Sequence, residues 1–259
     1  MGDRQGTPVW YELLSDDPDA AEAFYARVAG WRFARPPGGL QRDYRTFAAA
    51  DGEDIGGVLG RPDGATFGPL WLVYFGVDDV DAATARLTSL GGSVDIEPTD
   101  IPGVGRFSFV ADPQGARFYL MRVDGDGSGA AYAPTKPGHC SWNELVTTDQ
   151  KAALEFYSAL LGWERIGSMP MGAMGDYTFV ACGDTRIGAM MDAADASVTP
   201  CWNFAFTVPE IDAAKAAVEA GGGTVRLGPL ELPEDGGWLI QCDDPRGGKV
   251  MFSAARPGR

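Results

Sequence analysis

The chain has 259 residues, 45% of them hydrophobic, with a formal net charge of −15 and a pI near 4.4. That length supports one large core or two smaller ones, while the acidity argues against a nucleic-acid partner, whose phosphates require clustered Lys and Arg. No run of roughly 18 apolar residues is present to span a bilayer and Met1 to Gly6 carries no apolar signal region, so a cytoplasmic protein without membrane association is expected.

Taken in chain order, Val9 to Leu14 reads as a strand. Asp17 followed by Pro18 gives the N-cap and first-turn signal of a helix. Ala21, Phe24 and Val28 then recur at helical spacing, and Gly30 supplies the stop. Trp31 to Ala34, Tyr44 to Ala50 and Ile55 to Leu59 read as strands separated by turn residues. A second unit of the same pattern opens with the apolar run Leu70 to Val77 and caps a helix near Asp79. It places Val80, Ala83, Leu87 and Leu90 on one helical face and stops at Gly91-Gly92. Arg106 to Ala111 turns through Asp112-Pro113-Gln114-Gly115 into Arg117 to Val123, a hairpin signal.

The remainder repeats what came before, at a near-constant offset of about 132 residues. Phe24-Tyr25 to Gly30-Trp31 returns as Phe156-Tyr157 to Gly162-Trp163, and Trp10-Tyr11-Glu12-Leu13 as Trp142-Asn143-Glu144-Leu145. Asp43-Tyr44-Arg45-Thr46-Phe47 answers to Asp176-Tyr177-Thr178-Phe179, Ile55-Gly56-Gly57 to Ile187-Gly188-Ala189, and Asp112-Pro113-Gln114-Gly115 to Asp244-Pro245-Arg246-Gly247. Order is kept throughout, so the chain is a duplication. The glycine-rich Asp124 to Gly129 reads as a connector, giving a first domain at 1–123, a linker at 124–137 and a second domain at 138–259. Each copy holds two strand, helix, three-strand units, and how the four units pair is left open. The four cysteines, Cys140, Cys182, Cys201 and Cys242, show no zinc or redox spacing and read as reduced, buried thiols.

This βαβββ-βαβββ order, with a Phe-Tyr to Gly-Trp helix ending and an Asp-Pro-x-Gly hairpin before the last strand, resembles the vicinal oxygen chelate superfamily of glyoxalases, bleomycin-resistance proteins and extradiol dioxygenases. The paired Trp-x-Glu-Leu strands look more narrowly like its tandem actinobacterial members. Those are described as glyoxalase-like or hydroxylase proteins and include the mycobacterial 27-kDa antigen group and accessory proteins of aromatic polyketide pathways. The resemblance implies an α+β fold of four βαβββ units forming two tandem glyoxalase-like domains, with mixed sheets curled around clefts that serve as sites.

Metal-dependent members hold a divalent ion with His, Gln and Glu. Carried onto this chain, their ligand positions fall on Trp10, Leu72 and Tyr119 in the first copy and on Trp142, Asn203 and Met251 in the second. Neither set supplies the oxygen and imidazole donors such an ion needs, so no metal ligand and no cofactor is expected. Glu12 and Glu144 remain as the rescue for a weakly held divalent metal. The lone histidine, His139, reads as structural or at the surface, and adjacent residues on a strand face opposite ways, which argues against a Cys140/His139 nucleophile pair. No nucleophile elbow or phosphate-binding loop is present.

In place of a metal, Trp10, Tyr74, Tyr119 and Trp142 offer rings for stacking, Asn203 and Met251 adaptable contacts, and Glu12 and Glu144 acceptors for ligand hydroxyls or amines. If Trp10 faces a cleft then so does Glu12, with Val9, Tyr11 and Leu13 packed toward the helices. A glutamate beside a ring is costly unless solvated or paired, which predicts open, wet clefts. Met171 and Met174, in the stretch from Ser168 to Gly175, read as a lid over the second cleft, and Pro36 to Gln41 as its counterpart without methionines.

The leading expectation is therefore metal-independent binding of an aromatic or polycyclic small molecule, for resistance by sequestration or for secondary metabolism. The alternative is an enzyme of the same superfamily, a lyase, isomerase, hydroxylase or dioxygenase. It would be metal-free with Glu12 or Glu144 as general base, or else metal-dependent. The partner is a small aromatic ligand, and the chain a monomer or homodimer.

Overall fold

A computed structural model of the chain describes residues 5–36, 43–62, 64–65, 67–125, 131–195, 197–233 and 236–255. Four βαβββ units follow one another. The first is β1 (Pro8–Ser15), α1 (Pro18–Val28), β2 (Arg32–Ala34), β3 (Tyr44–Ala48) and β4 (Asp54–Gly60). The second is β5 (Leu70–Gly76), α2 (Val80–Ser89), β6 (Ser93–Ile101), β7 (Gly105–Ala111) and β8 (Arg117–Val123). The third is β9 (Cys140–Thr147), α3 (Gln150–Leu161), β10 (Glu164–Pro170), β11 (Asp176–Cys182) and β12 (Thr185–Asp192). The fourth is β13 (Cys201–Thr207), α4 (Ile211–Ala220), β14 (Thr224–Glu231), β15 (Trp238–Asp243) and β16 (Lys249–Ala254).

Two mixed eight-stranded sheets result, ordered β2-β3-β4-β1-β5-β8-β7-β6 and β10-β11-β12-β9-β13-β16-β15-β14. With four α-helices among the described residues and two such sheets, the fold is α+β, built as two tandem glyoxalase-like domains. No helix among the described residues is long and apolar enough to cross a membrane.

Local chemistry explains most element ends. The Asp17 carboxylate accepts the Ala20 N–H at 3.0 Å and Pro18 begins α1, while Asp79 and Asp149 cap α2 and α3 in the same way. Gly162 ends α3 in a left-handed conformation with φ of 76°, a position that favours glycine. Strand Tyr44–Ala48 stops two residues before the end that its sequence suggests. On α2 the buried positions are Val80, Thr84 and Leu87, while Ala83 and Leu90 are half-buried. Thr84 is tolerated inside because its hydroxyl meets that of Ser108 at 2.8 Å. Of the stretch read as a linker at 124–137, residues 126–130 lie outside the described residues, and beyond them Tyr132 bridges to Cys140.

The pairing left open by the sequence is resolved by packing. One compact unit comprises Met1–Val9, Leu72–Gly129 and Trp142–Trp202, and the other Trp10–Trp71, Ala130–Ser141 and Asn203–Arg259. The second and third βαβββ units thus share one packed core, and the first and fourth share the other.

Each core is organised by a buried knot of acid and aromatic side chains. In the unit that contains α1, Tyr25 donates its hydroxyl to Asp244 at 3.0 Å and accepts the Trp71 indole N–H at 3.0 Å. Trp31 lies nearly parallel to Tyr25 at 5.4 Å and donates to the Gly138 carbonyl at 2.8 Å. In the other unit Tyr157 donates to Asp112 at 3.1 Å, accepts from Trp202 at 3.3 Å, and stacks on Trp163 at 5.1 Å. Trp163 then donates to the Gly6 carbonyl at 2.7 Å. The Asp-Pro-x-Gly turn of each copy therefore closes on the Phe-Tyr helix of the other. Backbone N–H groups satisfy the second carboxylate oxygen, from Gln114 and Ala116 at Asp112 and from Arg246 and Gly248 at Asp244. Burial, partly opposed by these N–H groups, holds both aspartates above the usual carboxylate range.

Candidate functional site

Strand alternation places Trp10 and Glu12 on one face of β1 and sends Tyr11 to the other. There Tyr11 meets Phe204 and Phe206 edge-on at 5.1 and 5.5 Å in the core. Val9 and Leu13 are buried with Tyr11. On β3, Tyr44 reaches the same face as Trp10, and the Trp10 indole N–H donates to its hydroxyl at 3.2 Å. Glu12 lies opposite Gly57 in the parallel pair β1/β4. A Cβ at Gly57 would come within 2.3 Å of the Tyr44 hydroxyl, so glycine there admits the tyrosine over the sheet. Burial and the Glu12 charge hold the Tyr44 phenol well above its ordinary pKa, which keeps it a protonated donor.

The third βαβββ unit repeats this arrangement. The Trp142 indole donates to the Tyr177 hydroxyl at 2.7 Å, and Tyr177 donates to Glu144 at 2.8 Å. The two rings are inclined by only 15° and are joined at their polar edges. Phe179 stands nearly perpendicular to both, at 6.1 Å from Trp142 and 5.7 Å from Tyr177. The Arg186 guanidinium lies over the Phe179 ring at 4.1 Å and over Trp142 at 4.9 Å. Burial and Glu144 raise the Tyr177 phenol as well, with Arg186 opposing.

The two copies are not identical, and β-pairing corrects the simplest sequence alignment. Thr46 pairs with Gly57 and Phe47 with Gly56, whereas Phe179 pairs with Ala189 and Val180 with Gly188. Phe179 therefore occupies the place of Thr46, and its apparent counterpart Phe47 is fully buried and stacked on Trp31 at 4.1 Å. The expectation of open, wet surroundings for both glutamates also needs correction. Glu144 is half-buried, but Glu12 is only 3% exposed, because Tyr44 lies across the neighbouring Gly57.

Other candidate residues fall in different surroundings. Tyr74 and Tyr119 are register partners in the parallel pair β5/β8, and their rings stack at 4.0 Å with Phe109 adding to the pile at 4.6 Å. Both tyrosines are buried, so much of their ring surface is spent on one another. At the corresponding positions of the second copy, Ala205 pairs with Met251 and Gln241 lies beside the Met251 sulfur at 3.8 Å, leaving a less aromatic strand pair. Asn203 is half-buried on β13. Of the stretch read as a lid, Ser168, Met169 and Pro170 belong to β10, where ladder bonding to β11 overrides the turn signal of glycine and proline. Only Met171 to Gly175 leaves the sheet, with Met171 half-buried and Met174 40% exposed around a short 3-10 turn. The counterpart at Pro37 to Gln41 lies outside the described residues.

His139 is fully buried and its Nε2 lies 3.2 Å from Asp51, a structural placement rather than a surface one. All four cysteines are free. Cys140 and Cys242 are buried, but Cys182 and Cys201 are only half-buried, against the expectation for all four. Sequence reasoning missed Tyr44, Tyr177 and Arg186 as members of the two faces. The tyrosines were visible as a repeated Asp-Tyr, but only the sheet brings them to Trp10 and Trp142.

The positions onto which the resemblance maps metal ligands do not fit a hard divalent ion. Leu72 has no donor atom, Met251 offers a soft thioether, and Trp10 and Trp142 give their indole N–H groups to tyrosines. Among the described residues no three His, Cys, Asp or Glu side chains are grouped to hold a metal.

Comparison with known proteins agrees with this architecture. The description "Glyoxalase/Bleomycin resistance protein/Dioxygenase superfamily" matches residues 7–120 and again 136–252. The chain belongs to that superfamily. It is 34% identical over 256 residues to the Mycobacterium tuberculosis protein named "Putative glyoxylase CFP32", covering 98% of this chain and 96% of that one. It is 33% identical to the anthracycline biosynthesis protein DnrV of Streptomyces peucetius, covering 98% and 94%. Among solved structures, the Mn(II)-bound glyoxalase of Novosphingobium aromaticivorans superposes with a TM-score of 0.69 at 20% identity, over 97% of this chain and 82% of that one. The 2,3-dioxygenase LapB of Pseudomonas sp. KL28 gives 0.66 at 17% identity, over 98% and 94%. These two likenesses establish fold alone.

Proposed function

We propose that this protein binds an aromatic or polycyclic small molecule on its Trp–Tyr–Glu faces, without a metal ion. The observation that carries the reading is that in each copy a tryptophan and a tyrosine, joined edge to edge beside a glutamate, are only half-buried rather than packed into the core. Joined rings offer a flat apolar platform, and beside the second of them the half-buried Glu144 orients a ligand through its hydroxyl or amine groups. The relative named for anthracycline biosynthesis is consistent with a polycyclic ligand. The donor set supports metal independence, since the inherited ligand positions carry aromatic, aliphatic, amide and thioether groups in place of imidazole and carboxylate.

The test is titration of a panel of flat aromatic compounds against the full chain, followed by tryptophan fluorescence and calorimetry. Trp10→Ala and Trp142→Ala should each weaken binding by about tenfold or more at the site they line, the loss expected when a stacking ring is removed. Unchanged binding in both variants would end the reading. Elemental mass spectrometry after incubation with Mn, Fe, Ni and Zn should find no near-stoichiometric metal, and finding one would overturn metal independence.

A second reading is favoured by the 2.8 Å bond from Tyr177 to Glu144. A carboxylate fixed by a protonated phenol is positioned as a general base toward an acidic C–H or hydroxyl. In that case Glu144→Gln abolishes turnover while binding survives, and retained turnover would exclude it.

A further inference from the structure

Away from these faces, the two copies part company near the start of β7 and β15. In the first copy the Arg106 guanidinium ties a helix to the edge of the sheet. Its Nε and Nη2 donate to the two oxygens of Asp81, the second residue of α2, at 2.7 and 2.9 Å, and Nη1 donates to Asp100 on β6 at 3.0 Å. Asp100 is the register partner of Arg106. In the second copy Glu231 on β14 is the register partner of Trp238 on β15, and Asp212 is the second residue of α4. Chain order and β-register agree, so both acids are kept while the arginine between them is replaced by a tryptophan.

An open cavity of about 710 Å³ lies at this place in the second copy, with Pro209, Ile211, Asp212, Pro229, Glu231 and Trp238 in its lining. All six belong to one compact unit. Ile211 is buried and Trp238 half-buried, and with the two prolines they make apolar walls. Asp212 is exposed and keeps the place of Asp81, which receives two of the three bonds that hold Arg106. The Asp81–Arg106 pair has no counterpart at Asp212 among the described residues. Both aspartates sit in the first turn of a helix, so the helix dipole acts alike on each, and the occupant is what differs. The first copy displays the group that this acid receives, and the second leaves room for it beside an indole, whose face attracts a guanidinium. Glu231 already has a contact of its own, and the guest does not depend on it.

We propose that this cavity binds a small organic guanidinium compound with an apolar body. The guanidinium takes the place of the Arg106 group, pairing with Asp212 and lying against the Trp238 ring, while the apolar part packs on Pro209, Ile211 and Pro229. The site shares no residue with the Trp–Tyr–Glu faces and stands whether or not those faces hold a ligand.

The test titrates benzylguanidinium and its neutral isostere benzylurea into the full chain by calorimetry at neutral pH. Wild type should bind the cation at least about tenfold more tightly, the size of one charge-assisted contact. A net charge of −15 attracts any cation, so local variants decide. Asp212→Asn should lose benzylguanidinium affinity by about tenfold or more. Glu219→Gln removes the same charge from the exposed far end of α4 and should stay within about twofold of wild type. Trp238→Arg rebuilds the first copy's arrangement, fills the place with the chain's own guanidinium, and should abolish binding. The proposal is overturned if wild type does not bind the cation or binds benzylurea equally well. It is also overturned if Asp212→Asn or Trp238→Arg binds like wild type, or if Glu219→Gln loses as much as Asp212→Asn. Binding that survives in Asp212→Asn but is lost in Trp10→Ala or Trp142→Ala would assign the probe to the aromatic faces and end the proposal as well.

Discussion

Within each compact unit the same residue types are put to two different uses. The knot of Tyr25, Asp244, Trp31 and Trp71 and the face of Trp10, Tyr44 and Glu12 are both aromatic rings tied to a carboxylate. In the knot, every ring is buried and each ring's polar edge has a fixed protein partner. On the face, Trp10 and Tyr44 are only half-buried and point away from the helices. Recurrence in both copies therefore does not by itself separate a structural tryptophan from one that lines a site. What separates them is whether the flat sides of the ring are already covered.

The sharpest way to break this comparison is to truncate one ring of each kind in the same unit. Trp163→Ala should cost about 3–5 kcal/mol of stability, since it empties a packed aromatic site, whereas Trp142→Ala should cost about 1 kcal/mol, in line with partial burial. Urea unfolding followed by circular dichroism measures both. Equal losses would place Trp142 in the core and remove it from the candidate site.

Tyr25→Phe comes next. It deletes a donor to Asp244 and an acceptor for the Trp71 indole while keeping the ring, and should destabilise by about 1–3 kcal/mol. A neutral result would show that the Asp244 carboxylate does not depend on the phenol. Gly57→Ala probes the face instead. Its new Cβ collides with the Tyr44 hydroxyl, so a stability loss of about 1 kcal/mol is expected together with a changed tryptophan emission. The second copy already carries Ala189 there, so Ala189→Gly should be close to silent in emission.

The smallest effect is a change of slope with pH. Burial raises the Asp244 pKa above its ordinary 3.8, so the folded protein binds that proton more tightly than the unfolded chain does. The resulting stability is fully present below the ordinary value and is lost as pH rises through the raised one. Asp244→Asn cannot titrate. Its stability relative to wild type should thus increase as pH climbs from the acid range toward neutrality, and a pH-independent difference would show that the carboxyl is not strained by burial.

Sequence alone settled the duplication, the order of the βαβββ units and most element ends, because these depend on local chemistry: an Asp cap, a Pro at the first turn, a Gly after the last. It also determined that Trp10 shares a face with Glu12 and Trp142 with Glu144, since alternation along a strand is a property of the strand itself. Only tertiary structure decided that the aspartate of each copy's turn closes on the tyrosine of the other copy's helix. It likewise assigned Phe179 to the place of Thr46 and brought Tyr44, Tyr177 and Arg186 to the two faces. Strand register and the pairing of units are set by contacts between residues far apart in the chain, and such contacts leave no periodicity in the sequence from which they can be read.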